Sequence, residues 1–489
     1  MANTKSFMGF TGKALMIAQT ATIVCPSFIL FGYNQSNLGG LVGLSDWVDH
    51  FPRIDTVNTH GSQKSNNATI QGLIVATMTL GALPGCLSCS YTADRFGRRP
   101  IIFLGALLSL IGEALEASAF HLAQLIIGRI VLGAGIGMLS GTVPTWQSEC
   151  SSAKNRGRHV VLDGLFISLG YVLQAWINLG FYQFKTGPIT WRVPISIAAF
   201  FSLVLMSCIF FMPESPRWLL RRNRVEEAQM TLAALKGLSP DAEEIRAEMA
   251  AIEISLEDNA GKSASLRELL KMGEDKLLYR FGICILLQFY QQMSGGNLIS
   301  VYSTVIFQQG LGLDAQTARI LSGGTLTWKF LSCFVSFFTI DRFGRRIVLM
   351  VISVLFVFLF NFFIPIGFLG ANFLYCTEVA PLRLRVAMSS ISTANHWLWN
   401  FVVTMITPVA INSIGYKYYI VYTLIGFCVP FSVYFLYPET MGMRLEDIDL
   451  IFRNSPSVLG TVSYARTKPH LPVEEALHVK EKTEHQEVA

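Results

Sequence analysis

The chain has 489 residues, of which 52% are hydrophobic and only 15% are charged. Soluble domains carry roughly 25% charged residues, so this composition excludes a water-soluble globule. The net charge of +5 is modest and its basic residues lie in short clusters between apolar runs, which excludes a nucleic-acid-binding surface. The nine cysteines are scattered, mostly inside those runs, as expected of buried thiols, and we expect neither a metal site nor a cofactor.

The apolar runs are long enough to cross a bilayer as helices, which takes about 20 residues each. Strands are not expected, because an isolated strand cannot satisfy its backbone hydrogen bonds in lipid. The sequence therefore predicts an all-α, multi-pass membrane protein with an uncleaved first span. In chain order the runs lie at about 14–34, 68–92, 100–119, 121–143, 159–182, 191–212, 278–307, 317–340, 347–377, 386–410 and 416–437.

The runs and the charged segments between them divide the chain into four regions. The tail is polar, and its residues from 454 onward are expected to be disordered. The predicted regions are a first helix bundle at 1–212, a helical linker at 213–277, a second helix bundle at 278–437 and a tail at 438–489.

Lysine and arginine are distributed unevenly between the loops. They concentrate in the linker and in short clusters beside the runs, whereas the loop 35–67 contains only Arg53 and Lys64. By the positive-inside rule, the linker and both termini are predicted to be cytoplasmic and this loop extracellular. Asn67-Ala68-Thr69 is then a candidate glycosylation sequon on the outer side.

The two halves of the chain repeat three motifs in the same order. Charged helix caps arising by chance could explain one coincidence but hardly three in order. We infer a duplicated half, with two parallel repeats of the kind found in transporters. The repeated elements are DRFGRR at 94–99 and 341–346, Glu149 and Glu378 with an arginine seven residues later, and Pro-Glu at 213–214 and 438–439.

The acids and arginines of these motifs can pair at one end of the helices, because a planar guanidinium binds carboxylates well. A network that forms only when the inner mouth closes would act as a gate, with about 0–1 kcal/mol from each exposed pair. Charges that merely stop helix translocation are the alternative. The candidate gate residues are Asp94, Arg98, Arg99, Glu149, Arg156, Glu214, Asp341, Arg345, Arg346, Glu378, Arg385 and Glu439.

These motifs, with PESPRWLL at 213–220, QQMSGGN at 291–297 and PETMGMRLEDID at 438–449, resemble the sugar porter family of the major facilitator superfamily, of fungal type. The resemblance covers about residues 14–450. It implies twelve helices in two bundles of six, a central sugar site and alternating access. The glycines at 133, 135 and 137 lack the spacing of a dinucleotide fingerprint and lie in an apolar run, which predicts close helix packing.

Sugars are bound by amide and hydroxyl groups and by an aromatic face. The run 278–307 carries amides at helical spacing, and the resemblance assigns several of them to the sugar site. Interhelical hydrogen bonds without a ligand are the alternative. The candidate substrate-binding residues are Gln288, Gln291, Gln292, Asn297, Tyr302, His396, Trp397 and Asn400.

The first span departs from the pattern of the proton-coupled members, which carry an aspartate after the Gly-Tyr pair. Here Asn34 occupies that position and cannot titrate, while Arg129, the usual neighbour of the aspartate, is present. This favours facilitated diffusion over proton symport. Asp163, Glu113 and Glu116 are also intramembrane acids that could carry a proton, unless they pair with Arg129.

Lys329 and His396 stand where the family has neutral asparagines. They add a charge or a titratable group to the expected site, so an anionic substrate such as a sugar acid is a second hypothesis. Pairing of Lys329 with an acid, or snorkelling to the interface, is the structural alternative.

The second half is shorter than the first. Asp94 and Glu149 are 55 residues apart, but Asp341 and Glu378 only 37, and the difference of 18 is close to one helix. Two crossings need about 40 residues, but the segment 347–377 has only 31. One crossing would place its two ends on opposite sides of the membrane, whereas a cramped hairpin turning near Ser353–Phe356 would keep them on one side without spanning twice. A defective, truncated paralogue would also show this shortening.

Together the patterns predict a non-enzymatic transporter of a monosaccharide, a hexose or pentose, in the plasma membrane. The expected partners are the sugar, the lipid bilayer and, in the symport alternative, protons. A sugar sensor that does not transport is a further alternative.

Overall fold

A computed structural model of the chain describes residues 6–56, 58–151, 156–185, 187–257, 266–273, 275–310, 313–343, 371–381, 384–414, 418–440, 443, 445–458 and 460–467. These residues are largely helical, and no strand occurs among them. The predicted all-α fold class is therefore confirmed for the described part of the chain.

The first half contains six described helices that are long and apolar enough to span a bilayer. Their lengths are 20 to 36 residues, and 20 helical residues cover the roughly 30 Å of a hydrocarbon core. They are α1 (Gly12–Leu41), α3 (Gly61–Phe96), α4 (Arg98–Ala117), α5 (Leu122–Cys150), α6 (Arg156–Tyr182) and α7 (Ile189–Cys208), and a short helix α2 (Ser45–His50) follows α1.

Glycines bring these helices into backbone contact. A Cβ atom on Gly133 would lie 2.0 Å from the carbonyl oxygen of Met78 on α3, and one on Gly137 would lie 2.1 Å from that of Ala82. Gly135 faces the opposite side, towards α4. The prediction that these glycines serve close helix packing is confirmed.

The glycosylation sequon is placed unfavourably for modification. The side chain of Asn67 is buried within α3, and its Nδ2 atom donates to the carbonyl oxygen of Asp55 at 2.7 Å. The nitrogen that would carry a glycan is thus occupied, which argues against glycosylation here.

The described residues of the linker form three α-helices, α8 (Pro216–Arg221), α9 (Val225–Lys236) and α10 (Glu243–Glu257), and a 3-10 helix at Leu266–Leu270. Ser215 begins α8 as its N-cap, because its hydroxyl accepts from the backbone N–H of Trp218 at 3.2 Å. The three helices share a small apolar core around Trp218, Leu232 and Ile245. The described part of the predicted linker is therefore helical and packs around its own apolar core.

The second half contains six described helices. They are α11 (Leu277–Met293), α12 (Gly296–Val305), α13 (Ala315–Phe343), α14 (Ala371–Val379), α15 (Arg385–Ile414) and α16 (Tyr418–Leu436). The predicted hairpin near 353–356 lies outside the described residues, as does most of the short run 347–377, so both stay predictions.

The run 278–307, predicted as one helix, is broken. Helix α11 ends at Met293, and Gly295 has a φ of +85°, a left-handed conformation that glycine adopts at low cost. Helix α12 begins directly afterwards. The break leaves Gln288, Gln291 and Gln292 on one helix and Asn297 on the next.

The expectation of disorder after residue 454 is wrong for the first part of the tail. Helix α17 (Leu445–Asn454) is followed by α18 (Gly460–Thr467). The two are joined through the hydroxyls of Ser455 and Thr461, 2.9 Å apart, and Lys276 donates to the carbonyl oxygen of Ser455. The contact of Lys276 with Ser455 joins residues 179 positions apart, which composition alone does not predict.

The two halves touch along several helix pairs. Cys86 on α3 donates to the carbonyl oxygen of Ser390 on α15 at 3.1 Å. Helix α6 meets α13 where Trp176 donates to Thr327 at 3.0 Å, and α1 meets α12 where Gly39 packs on the Val301 carbonyl group. The space between the halves is therefore nearly closed.

Candidate functional site

The predicted amides form a connected, buried hydrogen-bond network. His396 on α15 lies between two glutamines of α11: Nδ1 is 2.5 Å from Gln291 Oε1, and Nε2 is 2.9 Å from Gln292 Nε2. The neutral tautomer with the proton on Nδ1 satisfies both contacts. Gln292 also accepts from Asn297 Nδ2 at 2.5 Å, so the amide of α12 is tied to those of α11.

Gln288 lies one turn away and has a different partner. Its Oε1 accepts from Nδ2 of Asn372 on α14 at 2.8 Å, and the Oδ1 of Asn372 is buried without a partner among the described residues. The amide side chains thus continue from α11 onto α14. A hydroxyl of a ligand could satisfy that free acceptor.

An aromatic group connects this network to the first half. Trp397 donates from Nε1 to the Ser140 hydroxyl on α5 at 3.1 Å, and its ring centroid lies 4.9 Å from that of Phe31 on α1. Phe31 and Phe373 also flank the ring of His396. The network therefore lies at the junction of the two halves.

Tyr302 and Asn400 lie close to the same junction. Tyr302 donates to the carbonyl oxygen of Thr404 at 3.0 Å, and Asn400 accepts from the hydroxyl of Thr404 at 3.0 Å. The Nδ2 atom of Asn400 is buried without a hydrogen-bond partner in the described chain. All eight candidate substrate residues are buried, and they occupy α11, α12 and α15.

The intramembrane charges of the first half form two separate pairs. Asn34 on α1 donates to Oε1 of Glu113 on α4 at 3.0 Å, and the other oxygen of Glu113 accepts from Ser202 at 3.1 Å. Arg129 instead pairs with Glu116 at 3.5 Å and donates to a backbone carbonyl group of α3. The suggested pairing with Arg129 is therefore right for Glu116 and wrong for Glu113.

Asp163 is also not a partner of Arg129. It lies on α6, fully buried, and neither carboxyl oxygen has a hydrogen-bond partner in the part of the chain that the structure describes. Buried carboxylates without a partner are expensive, so the group marks a functional position or carries a proton.

Lys329 does not snorkel, and it pairs with no acid in the described part of the chain. On α13 it is 1% exposed, its Nζ donates to the Ser300 hydroxyl at 2.6 Å, and it lies 4.8 Å from the ring centroid of Tyr171. Both structural alternatives offered for this residue are wrong. A second buried cation on the same helix, Arg319, was not identified from the sequence.

At one end of the first half, the repeated motif forms an ion-pair cluster that we call the charged rim, comprising Asp94, Arg98, Glu149 and Glu214. Arg98 binds Glu149 with both ends of its guanidinium fork, Nε to Oε2 and Nη2 to Oε1, each at 3.0 Å. The two side chains are 5% and 3% exposed. Asp94 lies 3.5 Å from Arg98.

Glu214 joins the charged rim through the backbone. Its carboxylate accepts from the backbone N–H groups of Arg98 and Arg99, at 3.1 and 3.2 Å, where α4 begins. These N–H groups and the helix dipole favour a negative charge there. Burial nevertheless raises the pKa of Glu214 above its usual value.

Arg99 does not join the carboxylates with its side chain, contrary to expectation. It donates to the carbonyl oxygen of Phe210 and stacks on the ring of that residue, at 5.6 Å. The linker supplies a cation in its place, since Arg221 binds Asp94 at 2.8 Å. Sequence reasoning missed Arg221, although it follows the PESPRWLL motif directly.

The corresponding cluster of the second half is only partly described. Glu378 accepts from the Thr440 hydroxyl at 2.7 Å, Arg385 donates to the carbonyl oxygen of Ala380, and Glu439 accepts from the backbone of Thr440. The side chains of Arg156 and Asp341 lie outside the described part of the chain, as do both residues Arg345 and Arg346. Arg280 binds Asp449 on α17, a pair that sequence reasoning missed.

A small cavity of about 10 Å³ lies beside the amide network, and such a volume holds about one water molecule. Polar groups from α1, α6, α12 and α13 line it, so this part of the passage between the halves is polar and narrow. The lining includes Ser36, Gly40, Gln174, Asn178, Ser300 and Arg319.

Comparison with known proteins agrees with this architecture. The family model described as Sugar (and other) transporter matches residues 20–355 and 350–452. The chain belongs to the sugar transporter family. The predicted family is thereby confirmed, and the two matched segments meet inside the interval where the second half is short.

Two proteins of similar sequence are themselves named as sugar or fructose transporters. Sugar transporter STL1 of Saccharomyces cerevisiae is 32% identical over 496 residues, which cover 96% of this chain and 86% of that protein. High-affinity fructose transporter ght6 of Schizosaccharomyces pombe is 29% identical, with 92% and 91% covered.

A solved structure shares the fold of this sugar transporter. The proton:xylose symporter XylE bound to 6-bromo-6-deoxy-D-glucose superposes with a TM-score of 0.79 at 21% identity, covering 90% of this chain and all of that one. The chain is thus a multi-pass membrane protein with the major facilitator fold.

Proposed function

We propose that this chain moves a monosaccharide, a hexose or pentose, across the membrane by alternating access. One observation carries the proposal: a buried network of amides, a histidine and a tryptophan lies at the junction of the two halves. Such groups donate to and accept from sugar hydroxyls, and an indole ring covers a sugar face. The names of the relatives, which include sugar and fructose transporters, support the same substrate class.

The charged rim fits a gate in this mechanism. Its central pair is buried and bidentate, and it links α4 to α5 while the linker packs against it. We propose that the rim and both termini face the cytoplasm, as the distribution of basic residues predicts. We also propose that the protein resides in the plasma membrane. In a state with the rim open, these pairs would break and the amide network would face that side.

Facilitated diffusion is the proposed mode of transport. Asn34 replaces the titratable aspartate of the proton-coupled relatives, and its amide is a donor to Glu113. An amide cannot release a proton, so movement of the sugar needs no proton at this position.

Proton symport is the second candidate, and the contact of Asn34 with Glu113 is the observation that favours it. The carboxyl group of Glu113 lies 3.0 Å from the position at which proton-coupled members carry their acid. In that case the proton-carrying acid lies on α4 instead of α1, within the same site.

Counterflow in reconstituted vesicles tests transport itself. Vesicles loaded with unlabelled sugar should accumulate labelled sugar transiently, which a sensor or a defective paralogue would not achieve. Gln292→Ala removes the amide that joins His396 to Asn297, so counterflow should fall about tenfold or more. Gln229→Ala, in the linker, is the matched control and should leave counterflow unchanged.

An imposed pH gradient separates the two modes. Facilitated diffusion predicts the same initial uptake with and without the gradient, in the wild type and in Glu113→Gln. Symport predicts uptake driven by the gradient that Glu113→Gln abolishes, while Glu226→Gln in the linker retains it.

A further inference from the structure

Helix α13 holds two buried cations that have no carboxylate partner among the described residues. Lys329 is 1% exposed and Arg319 is 4% exposed. Buried charges in membrane proteins normally pair with an opposite charge, because removing an ion from water costs several kcal/mol. Two unpaired positive charges in one passage therefore call for an explanation.

The contacts of Lys329 are neutral. Its ammonium group donates to the Ser300 hydroxyl and lies over the ring of Tyr171, whose own hydroxyl donates to Gln35 at 2.5 Å. A hydroxyl and an aromatic face solvate a cation partly but leave its charge uncompensated. Ser300 also lines the small cavity, so the ammonium group lies at the inner end of the passage.

Arg319 lies at the other end of the same passage. Its Nη1 donates to the Ala315 carbonyl oxygen at 3.0 Å, its guanidinium group stacks on Tyr182 at 4.1 Å, and its Nη2 is buried without a hydrogen-bond partner among the described residues. Arg319 lines the cavity. Its free N–H donors are therefore available to a ligand there.

The described intramembrane acids do not neutralise these cations. Glu113 is held by Asn34, and Glu116 is held by Arg129. Asp163 lies on α6 eight residues from Tyr171, a distance of about 12 Å along the helix, and makes no hydrogen bond to either cation. Among the described residues, neither cation is therefore neutralised by a hydrogen-bonded carboxylate.

We propose that the transported monosaccharide is anionic, a sugar acid whose single carboxylate passes from Arg319 to Lys329 while its hydroxyls bind the amide network. This inference rests on the proposed transport function and specifies its substrate class. Ten residues separate the two cations on α13, about 15 Å along the helix, so they cannot hold one small group together. A group with one negative charge fits this spacing better than a doubly charged phosphate.

The test uses the full chain in vesicles and three labelled probes that share a hexose ring: D-glucuronate, D-glucose and D-glucose 6-phosphate. We expect glucuronate counterflow to exceed glucose counterflow. Lys329→Asn, which restores the neutral residue of the family, should lower glucuronate counterflow about 10- to 100-fold and spare or raise that of glucose. Arg319→Leu should lower glucuronate counterflow as well, whereas Lys271→Asn in the linker should change neither.

Thermal unfolding in detergent serves as the second measurement, because it also detects variants that fail to fold. Glucuronate should raise the Tm of the wild type and of Lys271→Asn but not that of a folded Lys329→Asn. If glucose shows counterflow but glucuronate neither shows counterflow nor raises the Tm, the proposal of an anionic substrate is overturned while the proposed transport of a sugar stands. Faster counterflow of glucose 6-phosphate than of glucuronate overturns the proposal that the substrate carries a single carboxylate. If none of the three probes shows counterflow or changes the Tm, the transport proposal is overturned as well.

Discussion

Removing the negative charge of Glu149 should open the charged rim. The change Glu149→Gln keeps the volume of the side chain but leaves the guanidinium group of Arg98 facing a neutral amide. Of the two hydrogen bonds of 3.0 Å, one loses its charge assistance and the other is lost, because an amide nitrogen cannot accept from the guanidinium group; both side chains are at most 5% exposed. Breaking a buried ion pair costs about 3–5 kcal/mol, and we take the lower end because one acceptor oxygen remains.

If the pair exists only with the rim closed, about 3 kcal/mol shifts the equilibrium towards the open rim roughly a hundredfold. Cys150 follows Glu149 and is buried at 8% exposure, so its thiol reports opening. The assay is the rate of maleimide labelling in vesicles, with Cys150 as the sole cysteine. Each rate is divided by the rate in denaturant, which removes the direct effect of the lost charge on thiol reactivity.

The matched control is Arg224→Ala. Arg224 and Glu227 also form a two-point pair, at 2.7 and 2.6 Å, but their side chains are 47% and 45% exposed. Exposed pairs contribute about 0–1 kcal/mol, so labelling should change less than about fivefold. Equal labelling rates in Glu149→Gln and the wild type would refute the reasoning, as would equal acceleration by both changes.

Three further predictions concern packing, closure and proton dependence. Gly133→Ala places a Cβ atom 2.0 Å from a carbonyl oxygen and should lower the Tm strongly, whereas Gly180→Ala, with nothing within 4 Å, should not. Trp397→Phe loses the hydrogen bond between the halves, about 1 kcal/mol, and should lower the Tm slightly while altering counterflow about fivefold. Asn34→Asp sets a second carboxyl group beside Glu113, and because both cannot ionise together, uptake should become pH-dependent.

Hydropathy and the internal repeat predicted much of the architecture of this protein from the sequence alone. The apolar runs predicted the first six spans, with each end at most seven residues from the helix end, because length and apolarity are local properties that lipid requires directly. The amides of α11 and the glycines of α5 were likewise identified from their own spacing. The helix break at Gly295 was not predicted, although the paired glycines of QQMSGGN were a visible signal for it.

Only the tertiary structure decided which polar groups meet. Asn34 binds a glutamate 79 residues away, and Trp397 binds a serine 257 residues away, so no local pattern could assign either contact. The same holds for Lys329, for which an acidic partner was one of the alternatives and whose described contacts are a hydroxyl and an aromatic ring. Sequence determines which segments enter the membrane, since each helix satisfies its own backbone there. Side-chain partners depend on how the helices pack against one another, and only the tertiary structure specifies that packing.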